Sequence, residues 1–61
     1  MREFTIYFTQ DGKPIGDWLK RETVFCSSLH GAIRVAYDRA DKLALKHNAS
    51  VKFTVEPVYH A

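Results

Sequence analysis

The sequence predicts a small α+β protein in which a three-stranded antiparallel sheet, with strand order 2-1-3, carries one helix on one face. Two segments, one near each end of the chain, alternate apolar and polar residues with the period of a strand. A long segment between them repeats apolar residues at the three- and four-residue steps of a helix, and a further strand-like segment precedes it. The 61 residues make a single domain, residues 1–61, with the element order β-β-α-β.

The first strand is predicted at residues 3–9, EFTIYFT, where alternate side chains face opposite sides of the sheet. Its apolar face is expected to consist of Phe4, Ile6 and Phe8. The dipeptide Asp11-Gly12 that follows is typical of a tight turn, because both residues tolerate a positive φ.

The second strand is expected within residues 17–26, where the alternation is less regular. Val24 and Cys26 share the core-facing side, and Phe25 points the other way. Trp18 is in phase with Val24, but two charged residues share that phase. The pattern therefore predicts either a bulge or a late start of the strand.

The helix is predicted to begin after Ser28, whose hydroxyl can accept a hydrogen bond from a free amide of the first turn, and to end near Asn48. Gly31 is the one residue of the first turn that does not favour a helix. Small residues on the inner side would let the helix lie close to a sheet. The apolar stripe consists of Leu29, Ala32, Ile33, Ala36, Tyr37, Ala40, Leu43 and Ala44.

The last strand is predicted in SVKFTVEPV, residues 50–58. Its end at Pro57 is expected to be an edge or the exit of the strand, because proline has no amide donor. A right-handed crossover from the second strand places this strand on the far side of the first. The expected core consists of Phe4, Ile6, Phe8, Val24, Cys26, Leu29, Ile33, Ala36, Tyr37, Ala40, Leu43, Val51, Phe53 and Val55.

Residue chemistry gives no catalytic signature. Cys26 is in phase with the core and His30 lies off the apolar stripe, so this pair indicates a helix start and not a reactive thiol or a metal site. A single cysteine excludes a disulfide framework and favours a reducing, cytoplasmic compartment. No apolar run approaches the ~20 residues of a membrane span. We therefore expect a cytoplasmic, non-enzymatic protein without cofactor, metal or membrane association.

The face of the sheet away from the helix is the expected interaction surface. Aromatic and basic residues there could contact a protein partner or, alternatively, stack on single-stranded nucleic acid. A third interpretation is that Tyr7 and Phe25 only shield each other as a cross-strand pair. The two free sheet edges could also pair with another chain, including a second copy. The candidate partner-binding residues are Tyr7, Arg21, Phe25, Lys52, Thr54 and Tyr59.

The runs TVFCSSLHGAIRVAYDRADKLA and VKFTVEPV resemble the layout of the small RNA polymerase inhibitors carried by T-odd podophages. The resemblance implies a non-enzymatic β-β-α-β protein that binds the jaw of the host polymerase through basic residues of its last strand. Pro57 and Tyr59 stand where those basic residues would be, so the target is left open. The residues that carry the resemblance are Ser28, Leu29, Ala32, Ala36, Phe53, Val55 and Val58.

The sequence thus predicts a small phage or mobile-element protein that docks on a larger host protein and modulates or inhibits it. The net charge of +2 is low for a dedicated nucleic-acid binder, so weak binding of single-stranded nucleic acid is the alternative function.

Overall fold

The computed structural model describes residues 1–10, 13–14 and 21–59, with the backbone alone at residues 13–14. Within these ranges the chain forms a helix and an antiparallel sheet. The elements are β1 (Arg2–Gln10), β2 (Lys13–Pro14), β3 (Arg21–Cys26), α1 (Leu29–His47) and β4 (Val51–Pro57).

The central strand of the sheet is β1. Residues 4–7 of β1 pair antiparallel with β3 and also with β4, so these two strands lie on opposite sides of it. This arrangement confirms the predicted order, since β3 and β4 are the second and third strands of the sequence-based scheme. The short β2 pairs with Thr9 and Gln10, which also pair with β4, and therefore lies on the same side as β3.

The register changes between β2 and β3. Thr9 pairs with Pro14, and Tyr7 pairs with Arg21. One residue, Phe8, separates the two β1 residues, whereas the six residues 15–20 separate their partners. The second predicted strand corresponds to β3, which is described from Arg21. Residues 17–20, where the sequence left open a bulge or a late start, lie outside the described residues. The predicted turn at residues 11–12 and the phase of residue 18 lie outside the described residues.

Both ends of α1 are capped by side-chain or backbone geometry. Ser28 has an extended backbone, and its hydroxyl accepts a hydrogen bond from the Gly31 amide at 3.2 Å, which confirms the predicted N-cap. Asn48 has a φ of 51° and a ψ of 49°, and its amide donates to the carbonyl of Ala44. The Ala49 amide donates to the same carbonyl at 3.2 Å. Asparagine tolerates this left-handed conformation, so the helix ends there.

The core is formed where α1 lies against β1. Ala36 and Ala40 pack in one cluster with Ile6 and Phe8, and the small alanine side chains let the helix backbone approach the large side chains of the strand. Half-buried residues of the flanking strands, such as Val24 and Phe53, pack around this cluster. The fully buried side chains in the described part of the chain are Phe4, Ile6, Phe8, Ala32, Ala36 and Ala40.

Two predicted core residues, Leu29 and Tyr37, are exposed, and seven others are half-buried. Leu29 is exposed because it is the first helical residue, and helical side chains lean toward the N-terminus and so past the end of the helix. Tyr37 is 62% exposed because it lies about 100° around the helix from Ala36, and its ring meets that of Phe53 edge-on. Cys26 is half-buried, at the end of β3.

Replacing Ile6 with valine is expected to lower the free energy of unfolding by about 1 kcal/mol, because one buried methylene leaves a small cavity beside Ala36 and Ala40. Urea titration followed by circular dichroism measures the change. The matched control is Leu45→Ala, since Leu45 is 84% exposed and its loss should change stability by less than ~0.5 kcal/mol. Equal effects of the two substitutions would contradict the assigned core.

Replacing Gly31 with alanine is expected to stabilise the protein by about 0.5–1 kcal/mol, because alanine loses less backbone entropy in a helix. An added Cβ would lie 3.6 Å from the Cβ of Cys26 and 3.7 Å from the hydroxyl of Ser28, which are ordinary contact distances. A rise in the urea midpoint measures the gain. A fall would show that this turn has no room for a side chain.

Candidate protein-interaction surface

The open face is the side of the sheet opposite α1. No described element covers it. Alternation of side chains along each strand, together with the pairing of the strands, determines its members. They are Glu3, Thr5, Tyr7 and Thr9 of β1, Arg21, Thr23 and Phe25 of β3, and Lys52, Thr54 and Glu56 of β4.

Four of the six predicted partner-binding residues lie together on the open face. Tyr7 is directly opposite Arg21 on β3 and directly opposite Thr54 on β4. Lys52 lies in the next row, opposite Thr9. Side chains directly opposite each other are ~5 Å apart at Cβ, so this group forms one continuous polar and aromatic patch. Tyr7 is 38% exposed within it.

Phe25 lies apart from Tyr7 on this face. Phe25 is opposite Glu3, which is four residues from Tyr7 along β1, a separation of about 13 Å at 3.3 Å per residue. Thr5 and Thr23 occupy the row between. The interpretation of Tyr7 and Phe25 as a mutually shielding cross-strand pair is therefore wrong, and the ring of Phe25 is 60% exposed.

Phe25 instead belongs to what we call the apolar end of the open face, formed by Met1, Phe25 and Val58 of that face together with Tyr59, which follows Val58. The Val58 amide donates to the carbonyl of Glu3 at 3.0 Å, which extends the pairing beyond β4 and brings Val58 and Tyr59 to the end of the sheet where Phe25 lies. Together with Arg2 and Glu3, the four residues line a depression of about 330 Å³. Tyr59 is 84% exposed there, and Met1 is exposed as well.

The sequence-based site therefore divides into two clusters, and two members of the apolar end were missed. Met1 continues the alternation of the open-face residues of β1, and Val58 continues that of β4. Continuing the alternation two residues before Glu3 and two residues after Glu56 would have identified both. The position of Tyr59 depends on the bond between Val58 and Glu3, which no local pattern shows.

The open face carries balanced charge. Its described cations are Arg21 and Lys52, and its described anions are Glu3 and Glu56. Sequence reasoning counted the basic residues and omitted the acidic ones. Binding of nucleic acid draws most of its affinity from neutralising phosphates, so a face with equal positive and negative charge is poorly suited to it.

The side chains that could act as nucleophiles, bases or metal ligands are dispersed over the part of the chain that the structure describes. Cys26 is half-buried on the core-facing side of β3, whereas His30 is exposed on α1. Among residues 1–10, 13–14 and 21–59, no three histidine, cysteine or acidic residues form a group that could hold a metal ion. None of the described residues forms a helix with the length and apolar character needed to span a membrane.

Comparison with protein-family models found no match, and searches of the curated proteins and of the solved structures found no significant match either. The candidate surface is therefore defined by the geometry of this chain alone.

Proposed function

We propose that this protein is a non-catalytic binding module that docks through the apolar end of its open face on a larger host protein, which it modulates or inhibits. The observation that carries the proposal is the exposure of two aromatic rings, Phe25 and Tyr59, around one depression at the end of a polar sheet. The partner that fits this arrangement is a protein with an apolar cleft that accepts aromatic side chains.

The energetics of the apolar end favour a protein partner. Complete burial of an exposed aromatic side chain stabilises a complex by roughly 1.5–3 kcal/mol, and a few central aromatic residues dominate most protein interfaces. Arg2 and Glu3 at the rim of the depression supply polar contacts around this apolar centre. The patch around Tyr7 would extend the interface along the sheet.

The single cysteine and the resemblance to podophage polymerase inhibitors support a phage or mobile-element protein that acts in the host cytoplasm. Bacterial RNA polymerase is the first purified partner to test. The family binds through basic residues of its last strand, whereas Lys52 is the one cation that β4 places on the open face. Contact through Phe25 and Tyr59 would therefore differ from that of the family.

The double variant Phe25→Ala/Tyr59→Ala is expected to weaken binding to the host partner by at least about 30-fold, because two central side chains are removed. Tagged protein first captures the partner for identification by mass spectrometry, and titration calorimetry with the purified partner then measures affinity. The matched control is Leu45→Ala, which removes an equally exposed apolar side chain from α1 and should leave affinity within about twofold.

Two results would contradict the proposal. One is a partner whose affinity falls with Leu45→Ala and not with the double variant, because the helix would then be the docking surface. The other is the capture of no protein, combined with oligonucleotide binding that weakens steeply with salt, which is the behaviour expected of a nucleic-acid binder. Circular dichroism of each variant verifies that the helix is retained.

A further inference from the structure

The outer edge of β4 presents unpaired backbone groups. Directly opposite residues of antiparallel strands alternate between hydrogen-bonded pairs and non-hydrogen-bonded pairs. The bond from the Val58 amide to the Glu3 carbonyl shows that Val58 and Glu3 are a pair of the first kind. Lys52, Thr54 and Glu56 consequently direct their backbone groups toward β1. The intervening residues, from Val51 to Pro57, direct theirs away from it. Within the described ranges no strand pairs with this edge.

We propose that a second copy of this chain pairs antiparallel with the β4 edge about a twofold axis through Thr54, so that two sheets become one continuous sheet. The proposal concerns the edge of the sheet and does not depend on the proposed function of the open face. An antiparallel strand pair with this symmetry is self-complementary, which is what a twofold dimer requires.

Charge complementarity selects this register. With the axis at Thr54, Lys52 of each copy lies directly opposite Glu56 of the other, which gives two ion pairs. These two residues are about 13 Å apart along one strand and cannot pair within it, and neither has a salt bridge to another described residue. Shifting the axis by one residue separates the charges, and parallel in-register pairing places Lys52 beside its own copy.

The backbone supports the same register. It aligns the whole of β4 and lets Phe53 of one copy exchange both hydrogen bonds with Val55 of the other. Val51 lies opposite Pro57, which still accepts through its carbonyl, so the missing proline amide removes only the outermost bond at each end. The half-buried, core-facing side chains of β4 would continue the apolar core into the second copy.

The helix offers an apolar flank above this edge. Arg39 binds Glu22 of β3 at 3.4 Å, which identifies that side of α1 as the β3 side. Tyr37 lies on the opposite side, its ring centroid 4.9 Å from that of Phe53 on β4. The twofold axis would bring the two exposed Tyr37 flanks toward each other. A 61-residue chain gains from this burial, because small domains bury little surface alone.

A charge-reversal series tests the register on the protein alone. Sedimentation equilibrium of the unaltered chain is expected to show a dimer. Lys52→Glu and Glu56→Lys, each alone, are expected to weaken dimerisation by about tenfold or more, because two attractive pairs become repulsive. The double variant Lys52→Glu/Glu56→Lys restores opposite charges across the axis and should restore the dimer. A chain that stays monomeric at millimolar concentration would refute the proposal, as would a double variant no better than either single one.

A cross-link provides the second measurement. In a Cys26→Ser background, Thr54→Cys places two thiols on the axis in a non-hydrogen-bonded pair, where Cα atoms lie about 4.5 Å apart and a disulfide fits. The matched control is Val58→Cys, which keeps both ion pairs and whose two thiols would lie about 26 Å apart along the strand direction. Oxidation should yield a covalent dimer from the first variant only. A dimer that Val58→Cys links as readily would exclude this register, whatever the outcome of the partner-binding experiments.

Discussion

The contact between the large side chains of β1 and the alanine row of α1 determines the rest of this structure. Ile6 and Phe8 are buried in one cluster with Ala36 and Ala40, whose small side chains let the helix approach the strand, and Phe4 and Ala32 are buried as well. The row is only one residue wide, so the side chains beside it, such as Tyr37, reach the flanks of the helix and remain exposed. The same contact covers one side of the sheet and leaves the other side open.

Local patterns predicted β1, β3, α1 and β4 because each of these elements bears its own signal, whereas the two-residue β2 was not predicted. Alternation gave β1 and β4, and Ser28 and Asn48 correctly marked the ends of α1. The register between β1 and β3 could not be predicted. Residues 15–20 lie between β2 and β3, and their number alone does not determine which residue of β3 pairs with which residue of β1. The local sequence pattern also could not predict how deeply each residue of the apolar stripe is buried. Tyr37 and Ile33 share the apolar stripe, yet only Tyr37 is largely exposed.

The candidate site shows the same division between local and non-local information. The strand phase predicted that Tyr7 and Phe25 face outward, which the structure confirms. Their separation follows from pairing, since Phe25 is opposite Glu3 and not opposite Tyr7. The two acidic residues that neutralise the face were equally visible in the sequence. Counting all residues of one phase, rather than the aromatic and basic ones, would have shown that the face carries equal positive and negative charge, which disfavours nucleic acid.

The open face and the β4 edge share Lys52, Thr54 and Glu56, and the apolar end lies farther along the same strand. Val58 lies four residues beyond Thr54 along the strand, so a twofold axis at Thr54 would carry the apolar ends of two copies to opposite sides of the axis. They would lie roughly 26 Å apart along the strand direction, on the same face of the joined sheet. Such a dimer would present two copies of the proposed docking site at a fixed spacing. A partner with two matching clefts would then be bound with an affinity well above that of either site alone, because the second contact becomes intramolecular.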